Sequence, residues 1–377
     1  MKEKGRDMSK ITVVKPSLPP MEEYIEEIRD IWENRWLTNS GPKHQQLCRE
    51  LSERLGTTEI SLFSNGHQAL EAVFSLFPAG SEVITTPFTF ASTTLAILRC
   101  GLVPVFCDIE PEFYTIDAEK IEALITPKTK AIAPVHVYGH LCDWRKIGEI
   151  ARRHNLKVIY DAAHAFGVTE NGISAAAIGD MAIFSFHATK VFHTIEGGCI
   201  AHNDPDLSKR FAAWRQFGMF DGERSEILGT NAKLTEFAAA MGLCNLRHLD
   251  DEIDLRHKVA ARYRERLGGH AGIILCGEQR DVQSNYAYFP VRIREETFGA
   301  SRDQVAEKLG EADILARKYF YPITSDFPVV RRAMQPQETP VARTVAEEIL
   351  CLPLYAGLSG IDVDRVCDAL LALYNRK

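Results

Sequence analysis

Six consecutive residues, Ser185-Phe-His-Ala-Thr-Lys190, bring a hydroxyl, an imidazole and an amine together, and the glycine pair Gly197-Gly198 follows closely. The stretch ahead of them, beginning at Met181, is apolar with strand rhythm. A lysine at the exit of such a strand has two readings. In water it is an ordinary surface cation, the commoner case. In a pocket, burial lowers its pKa and frees the amine to attack carbonyls. The choice depends on whether partners for a lysine-bound carbonyl compound exist elsewhere in the chain.

Three other strand ends supply candidates. Ser64-Asn-Gly-His-Gln68 follows a short strand and opens a helix. Unpaired N–H groups and the helix dipole favour a phosphate there. Gly66 lets the backbone approach and Ser64 adds a hydroxyl; alone, the stretch reads equally well as a turn with a capping serine. Asp161 closes an apolar strand, where a carboxylate is costly without a cation or a cluster of donors. A pyridinium N–H would suit it; taken alone, a helix N-cap is the simpler account. The small residues of Ala162-Ala-His-Ala-Phe-Gly167 leave room for a flat ring, with His164 placed to stack on it or hydrogen-bond it. In Thr86-Pro-Phe-Thr-Phe90-Ala-Ser-Thr93, Phe90 would cover one face of a planar ligand, although such a phenylalanine is more often core. Taken together, an amine, a carboxylate, a phosphate cradle and an aromatic lid meet the needs of pyridoxal 5′-phosphate. Its aldehyde forms an imine with lysine, its ring nitrogen stays protonated against a carboxylate, and its phosphate anchors at a helix start.

These residues need a frame that brings strand ends together. Strand patterns at Glu59–Phe63, 82–86, Val103–Asp108, Lys130–His136 and Lys157–Asp161 alternate with helical patterns at His67–Phe77, Phe90–Cys100, Ala118–Leu124 and Trp144–His154. Connections of helix length imply an α/β fold with a mostly parallel sheet flanked by helices. Ligands in such folds sit beyond the carboxyl ends of the strands. Residues 1–20 read as a tail and extended arm, with a helix over Met21–Trp32 and another over His44–Leu55. Past Asp206 come helices at Leu207–Phe217, Thr235–Asp250 and Glu252–Leu267, a strand over Asn285–Ile293, and helices at Arg302–Gly310 and Asp362–Tyr374. We therefore expect a large domain over residues 1–250 and a smaller α+β domain over 251–377, joined by the long helix.

Composition narrows the class. The 377 residues are 45% hydrophobic and 25% charged, with a net charge of −7. This is a globular mixture with no basic surplus for nucleic acid or anionic membranes. The nine cysteines form no C-x-x-C pair, and Met1–Lys10 is too polar for a signal peptide, so a cytoplasmic protein with reduced thiols is expected. No apolar run reaches membrane length. His136, His187 and His193 do not have a spacing that argues for zinc, and no metal is expected.

Several stretches in order resemble the DegT/StrS-type sugar aminotransferases, a branch of the fold type I pyridoxal-phosphate enzymes. They are Trp36-Leu-Thr-Asn-Ser-Gly-Pro42, Phe88-Thr-Phe90, Pro134-Val-His-Val-Tyr-Gly139, Asp161–Gly167, Ser185–Lys190 and Glu196-Gly-Gly198. The resemblance implies a seven-stranded sheet in the large domain. It implies that Lys190 binds the cofactor and shuttles the proton, that Asp161 pairs with the pyridinium, and that His164 and Phe90 cover the ring's two faces. Gly66, His67 and Ser185 would hold the phosphate, with Gln68 in the same turn assigned to the cofactor. Asn231 would reach the phosphate of the neighbouring subunit, which implies a homodimer with shared active sites. The loop 316–322, with Lys318, Tyr319 and Phe320, would help hold the sugar nucleotide, and His187 would line the sugar pocket. Two positions depart from the family: its Gly-Thr is Gly66-His67 here, and its Asn-Tyr-Arg is Asn231-Ala232-Lys233.

The implied reaction moves an amino group from L-glutamate, through pyridoxamine 5′-phosphate, to a nucleotide-linked keto-sugar, foremost a dTDP-4-keto-6-deoxyhexose. A 3-keto substrate would use the same chemistry. Intact Lys190 argues against a related dehydratase, which has histidine there. Lys190 and Asp161 argue against a non-catalytic regulator on this fold.

Overall fold

The computed structural model describes residues 10–374. The expected polar tail over residues 1–9 lies outside the described residues. Seven short strands form the principal sheet: β1 (Glu59–Phe63), β2 (Glu82–Thr85), β3 (Val103–Phe106), β4 (Thr129–Ile132), β5 (Lys157–Asp161), β6 (Met181–Ser185) and β7 (Gly198–His202). Their spatial order is β1-β7-β6-β5-β4-β2-β3. Neighbours from β3 through β6 are parallel. Only β7 opposes them, running antiparallel to both β6 and β1. The expected mostly parallel seven-stranded α/β architecture is present.

Strand periodicity sends alternate residues to opposite faces. Leu62, Ile84 and Phe184 join the core shared with the helices Pro42–Leu55, Trp144–His154 and Glu236–Arg247. Their neighbours Phe63, Val83 and Ile183 join a second core with the helices Gly66–Phe74, Ala91–Arg99 and Pro205–Trp214. Burial on both faces explains why these strands read as apolar runs.

The nineteen-residue helix Leu249–Leu267 spans two cores. Leu249 and Ile253 pack against the first core. Val259, Tyr263 and Leu267 pack instead under a small antiparallel sheet of β8 (Ile273–Leu275), β9 (Phe289–Ile293) and β10 (Ile349–Leu352). The N-terminal arm crosses between these regions. Its Ile11 is buried in the small-sheet core, and the Leu354 N–H donates to the Val13 carbonyl at 3.1 Å. Further on, the Ser17 carbonyl meets His193 Nε2 at 2.6 Å.

Some boundaries differ from the sequence pattern. The strand expected over Lys130–His136 ends at Ile132, because Pro134 has no N–H to continue the ladder. The strand expected from Asn285 begins at Phe289; Asn285 spends its side chain on the His164 and Phe166 carbonyls, at 2.8 and 2.9 Å. The helix expected over Ala118–Leu124 is one α turn followed by a 3-10 turn. The helices Pro328–Ala333 and Pro340–Glu348 and strand β10 were not expected, although both helices begin with proline, a favoured first residue.

Candidate active site

The parallel strands end on one rim, and four of those ends meet. β5 delivers Asp161, β6 delivers Ser185 and leads to Lys190, the turn after β1 delivers Gly66 and His67, and the segment after β2 delivers Phe90. All six line one cavity of about 430 Å³, together with His164 and His187.

Asp161 is 5% exposed, and neutral donors satisfy it. Thr93 Oγ1 donates to Oδ2 at 2.6 Å, and the Ala163 N–H donates to Oδ1 at 3.1 Å. Burial pushes its pKa up; Thr93, Ala163 and the nearby Lys190 oppose that. For Lys190, burial dominates and lowers the amine to about 8, with Asp161 pulling the other way. Its Nζ lies 3.4 Å from the Tyr288 hydroxyl. About a tenth of the amine is therefore unprotonated and nucleophilic at pH 7, far more than for a solvated lysine.

His164 receives the Tyr138 N–H on Nδ1 at 3.1 Å, so the ring proton sits on Nε2. Burial keeps this imidazole neutral. Its ring lies parallel to that of Phe320, with centroids 5.8 Å apart. Phe90 is 52% exposed, so it is a wall of the cavity and not core.

The helix Gly66–Phe74 is capped by the Asn65 side chain, which accepts from the Gln68 N–H at 2.9 Å. The N–H groups of Gly66 and His67 have no intrahelical acceptor. The helix start also presses on the sheet. A Cβ on Gly66 would lie 3.0 Å from Ser185 Cβ, and one on Gly198 would lie 2.5 Å from the Gly66 nitrogen. Glycine at both positions brings these free N–H groups beside the Ser185 hydroxyl. The His67 ring bonds Ser92 Oγ at 2.8 Å, so at this departure from the family a hydroxyl still reaches the cavity wall, from Ser92.

Three side chains expected at the site, those of Ser64, Gln68 and Lys318, lie elsewhere. Gln68 is not on the cavity wall; its Oε1 accepts from the Ser64 hydroxyl and the Asn65 amide, which also commits Ser64 to the turn. Lys318 turns away to pair with Asp303 at 2.7 Å, while Tyr319 and Phe320 of the same loop do line the cavity. Asn231 is exposed and absent from this chain's cavity, and its Oδ1 accepts from Lys233 at 2.7 Å. His187 lines the cavity at its exposed side, bonded to Thr189 Oγ1 at 2.8 Å.

Sequence reasoning missed Thr93, Tyr288, Arg317 and the arm residues Val13 and Val14, which complete the site. The last four line the cavity directly. Thr93 had a usable signal, sitting one helical turn beyond Phe90 on the same rim. Arg317 is an exposed cation whose guanidinium stacks 4.2 Å from the Tyr319 ring.

The donor set suits pyridoxal phosphate: a buried acid that would accept a ring N–H, an amine of lowered pKa, two free N–H groups with a hydroxyl for the phosphate, and rings on the cavity walls. The family model for DegT/DnrJ/EryC1/StrS aminotransferases matches residues 20–371. The chain is 43% identical to a dTDP-4-amino-4,6-dideoxy-D-glucose transaminase of Shigella dysenteriae, over 93% of this chain and 95% of that protein. It is 34% identical to a GDP-perosamine synthase of Caulobacter vibrioides, over 97% and 98% of the two chains. The crystal structure of DesI in the presence of its TDP-sugar product superposes with a TM-score of 0.93 at 32% identity, over 97% of this chain and 93% of that one. The chain belongs to the DegT/DnrJ/EryC1/StrS family and is a pyridoxal-phosphate-dependent aminotransferase.

Proposed function

We propose that this enzyme transfers the amino group of L-glutamate to C4 of a dTDP-linked 4-keto-6-deoxyhexose. The observation that carries this is the near-full-length identity of 43% and 42% to two transaminases named for dTDP-4-amino-4,6-dideoxy-D-glucose. The cavity supports it, since a volume of about 430 Å³ leaves room for a sugar beside the cofactor.

Bound pyridoxal phosphate supplies an electron sink and carries the amino group between the two substrates. The protein's residues do the rest. The Gly66 and His67 N–H groups and the Ser185 hydroxyl would hold the phosphate. Asp161, bonded to Thr93 Oγ1, would accept the ring N–H. Phe90 and His164 would flank the ring. Lys190 Nζ would carry the proton between the two carbons on either side of the transferred nitrogen, in opposite directions in the two halves of the cycle. Tyr319, Phe320, Val13 and Val14 shield the reacting carbons from water, and Arg317 offers a cation to an anionic substrate.

We further propose a homodimer in which Asn231 of the partner subunit completes the phosphate site. Its exposure here, beside the exposed apolar residues Phe217, Phe220 and Leu228, supports this. The proposed domains are residues 1–250 and 251–377, and the proposed location is the cytoplasm. Among the described residues no helix is long and apolar enough to cross a membrane.

The test is product NMR after incubation with L-glutamate and a panel of dTDP-, UDP- and GDP-linked keto-sugars. An amine at C4 of a dTDP-sugar is the expected product. Amination at C3, or on another nucleotide's sugar alone, would overturn the substrate assignment.

A further inference from the structure

Lys190 must serve in two states, bonded to the cofactor and free. In the free state its amine has one hydrogen-bond partner among the described residues, the Tyr288 hydroxyl. A lysine stem has four rotatable methylenes, and an amine with no fixed partner would sample many positions. Tyr288 is well placed to limit that sampling. Its ring meets His164 edge-on at 4.8 Å and Tyr319 edge-on at 5.8 Å, and it leans on Tyr138 at 5.8 Å.

The backbone that carries Tyr288 is fastened to the cofactor side of the site. Asn285 donates to the His164 and Phe166 carbonyls, and its Oδ1 accepts from the Ala287 N–H at 3.1 Å. A Cβ on Gly139 would come within 2.7 Å of Asn285 Oδ1, so glycine is needed there for the amide to seat. Tyr288 is thereby tied to the loop after Asp161, although it lies 98 residues beyond Lys190 in sequence. Burial keeps its phenol protonated, so the hydroxyl can both accept from and donate to nitrogen.

We propose that Tyr288 is a positioning residue for the proton-transferring lysine: its hydroxyl holds the Lys190 amine whenever that amine is not bonded to the cofactor. This rests on the assignment of Lys190 as the cofactor lysine. A residue acting through Lys190 influences both half-reactions, because the same amine moves the proton in each. A residue that touches the sugar or the amino acid influences only one.

The experiment compares wild type with Tyr288→Phe in single-turnover reactions of each half, followed by cofactor absorbance. Two measurements on the apoprotein accompany it: the rate at which added pyridoxal phosphate is captured, and the affinity for pyridoxamine phosphate, which makes no bond to lysine. We expect both half-reactions to slow by the same factor, about 10- to 100-fold, as for a misplaced catalytic group. Capture should slow too, and pyridoxamine phosphate affinity should stay unchanged. Loss in one half-reaction alone, unchanged rates, or a parallel loss of pyridoxamine phosphate affinity would each overturn the proposal. Failure of wild type itself to capture pyridoxal phosphate would instead overturn the assignment of Lys190, and this inference with it.

Discussion

The two walls of the cavity are built by different means. On the sheet side, Asp161, Ser185, Gly66 and Lys190 sit at or just beyond strand ends. Backbone hydrogen bonds fix their places, and packing is so close that a Cβ added to Gly66 or Gly198 would meet a neighbour at 2.5–3.0 Å. On the opposite side, Tyr288, Arg317, Tyr319 and Phe320 reach in from segments near the small sheet, joined by the arm residues Val13 and Val14. Ring contacts orient these side chains, while the backbone bridge of Arg317 to Cys351 and the hydrogen bonds of Asn285 hold the segments that carry Arg317 and Tyr288. The sheet wall is rigid and suited to a permanent cofactor. Apart from Tyr288, whose hydroxyl faces the Lys190 amine, the opposite wall is made of side chains outside the principal sheet, which suits it to selecting substrates.

That contrast predicts graded outcomes. Lys190→Ala should slow both half-reactions by about 10²–10⁴-fold, the usual worth of a positioned proton-transfer group, measured by single-turnover absorbance. Asp161→Asn should cost about 10²-fold in both, since it removes the charge facing the ring nitrogen. The rate of pyridoxal phosphate capture by the apoprotein should fall about tenfold per pH unit below the Lys190 pKa of about 8 and level off above it. The sign follows from the nucleophile being the neutral amine, whose fraction grows as pH rises through that value. Thr93→Val should weaken cofactor binding by about tenfold through loss of a hydrogen bond to a charged group, with Thr93→Ser restoring it, as read by equilibrium titration. Lys318→Ala should leave both half-reactions within about twofold, because this lysine pairs with Asp303 at the surface. A large loss with Lys318→Ala would break the division between the walls.

The sheet wall was legible in sequence because its residues follow directly from the strand pattern. Asp161 ends an apolar run, Lys190 follows another, and Gly66 opens a helix after a third. Parallel strands then bring those ends together with no further information. Even there, type and spacing did not fix side-chain direction. Gln68 shares the phosphate turn, but the Ser64 and Asn65 side chains occupy its amide oxygen. The opposite wall was legible only in part. Tyr319 and Phe320 came from the resemblance, while Tyr288 and Arg317 carry no local pattern that distinguishes them from neighbouring aromatics and cations. Their places depend on tertiary contacts such as the Asn285 tether. Pro134 shows the reverse case, where one residue's missing N–H would have predicted the early end of β4.

The most direct test of the central claim is borohydride reduction of the protein saturated with pyridoxal phosphate, followed by peptide mapping. The account predicts a single stable pyridoxyl adduct on Lys190, absent from Lys190→Ala and diminished by Asp161→Asn at limiting cofactor. An adduct on any other lysine, or equal labelling of the Lys190→Ala protein, would contradict it.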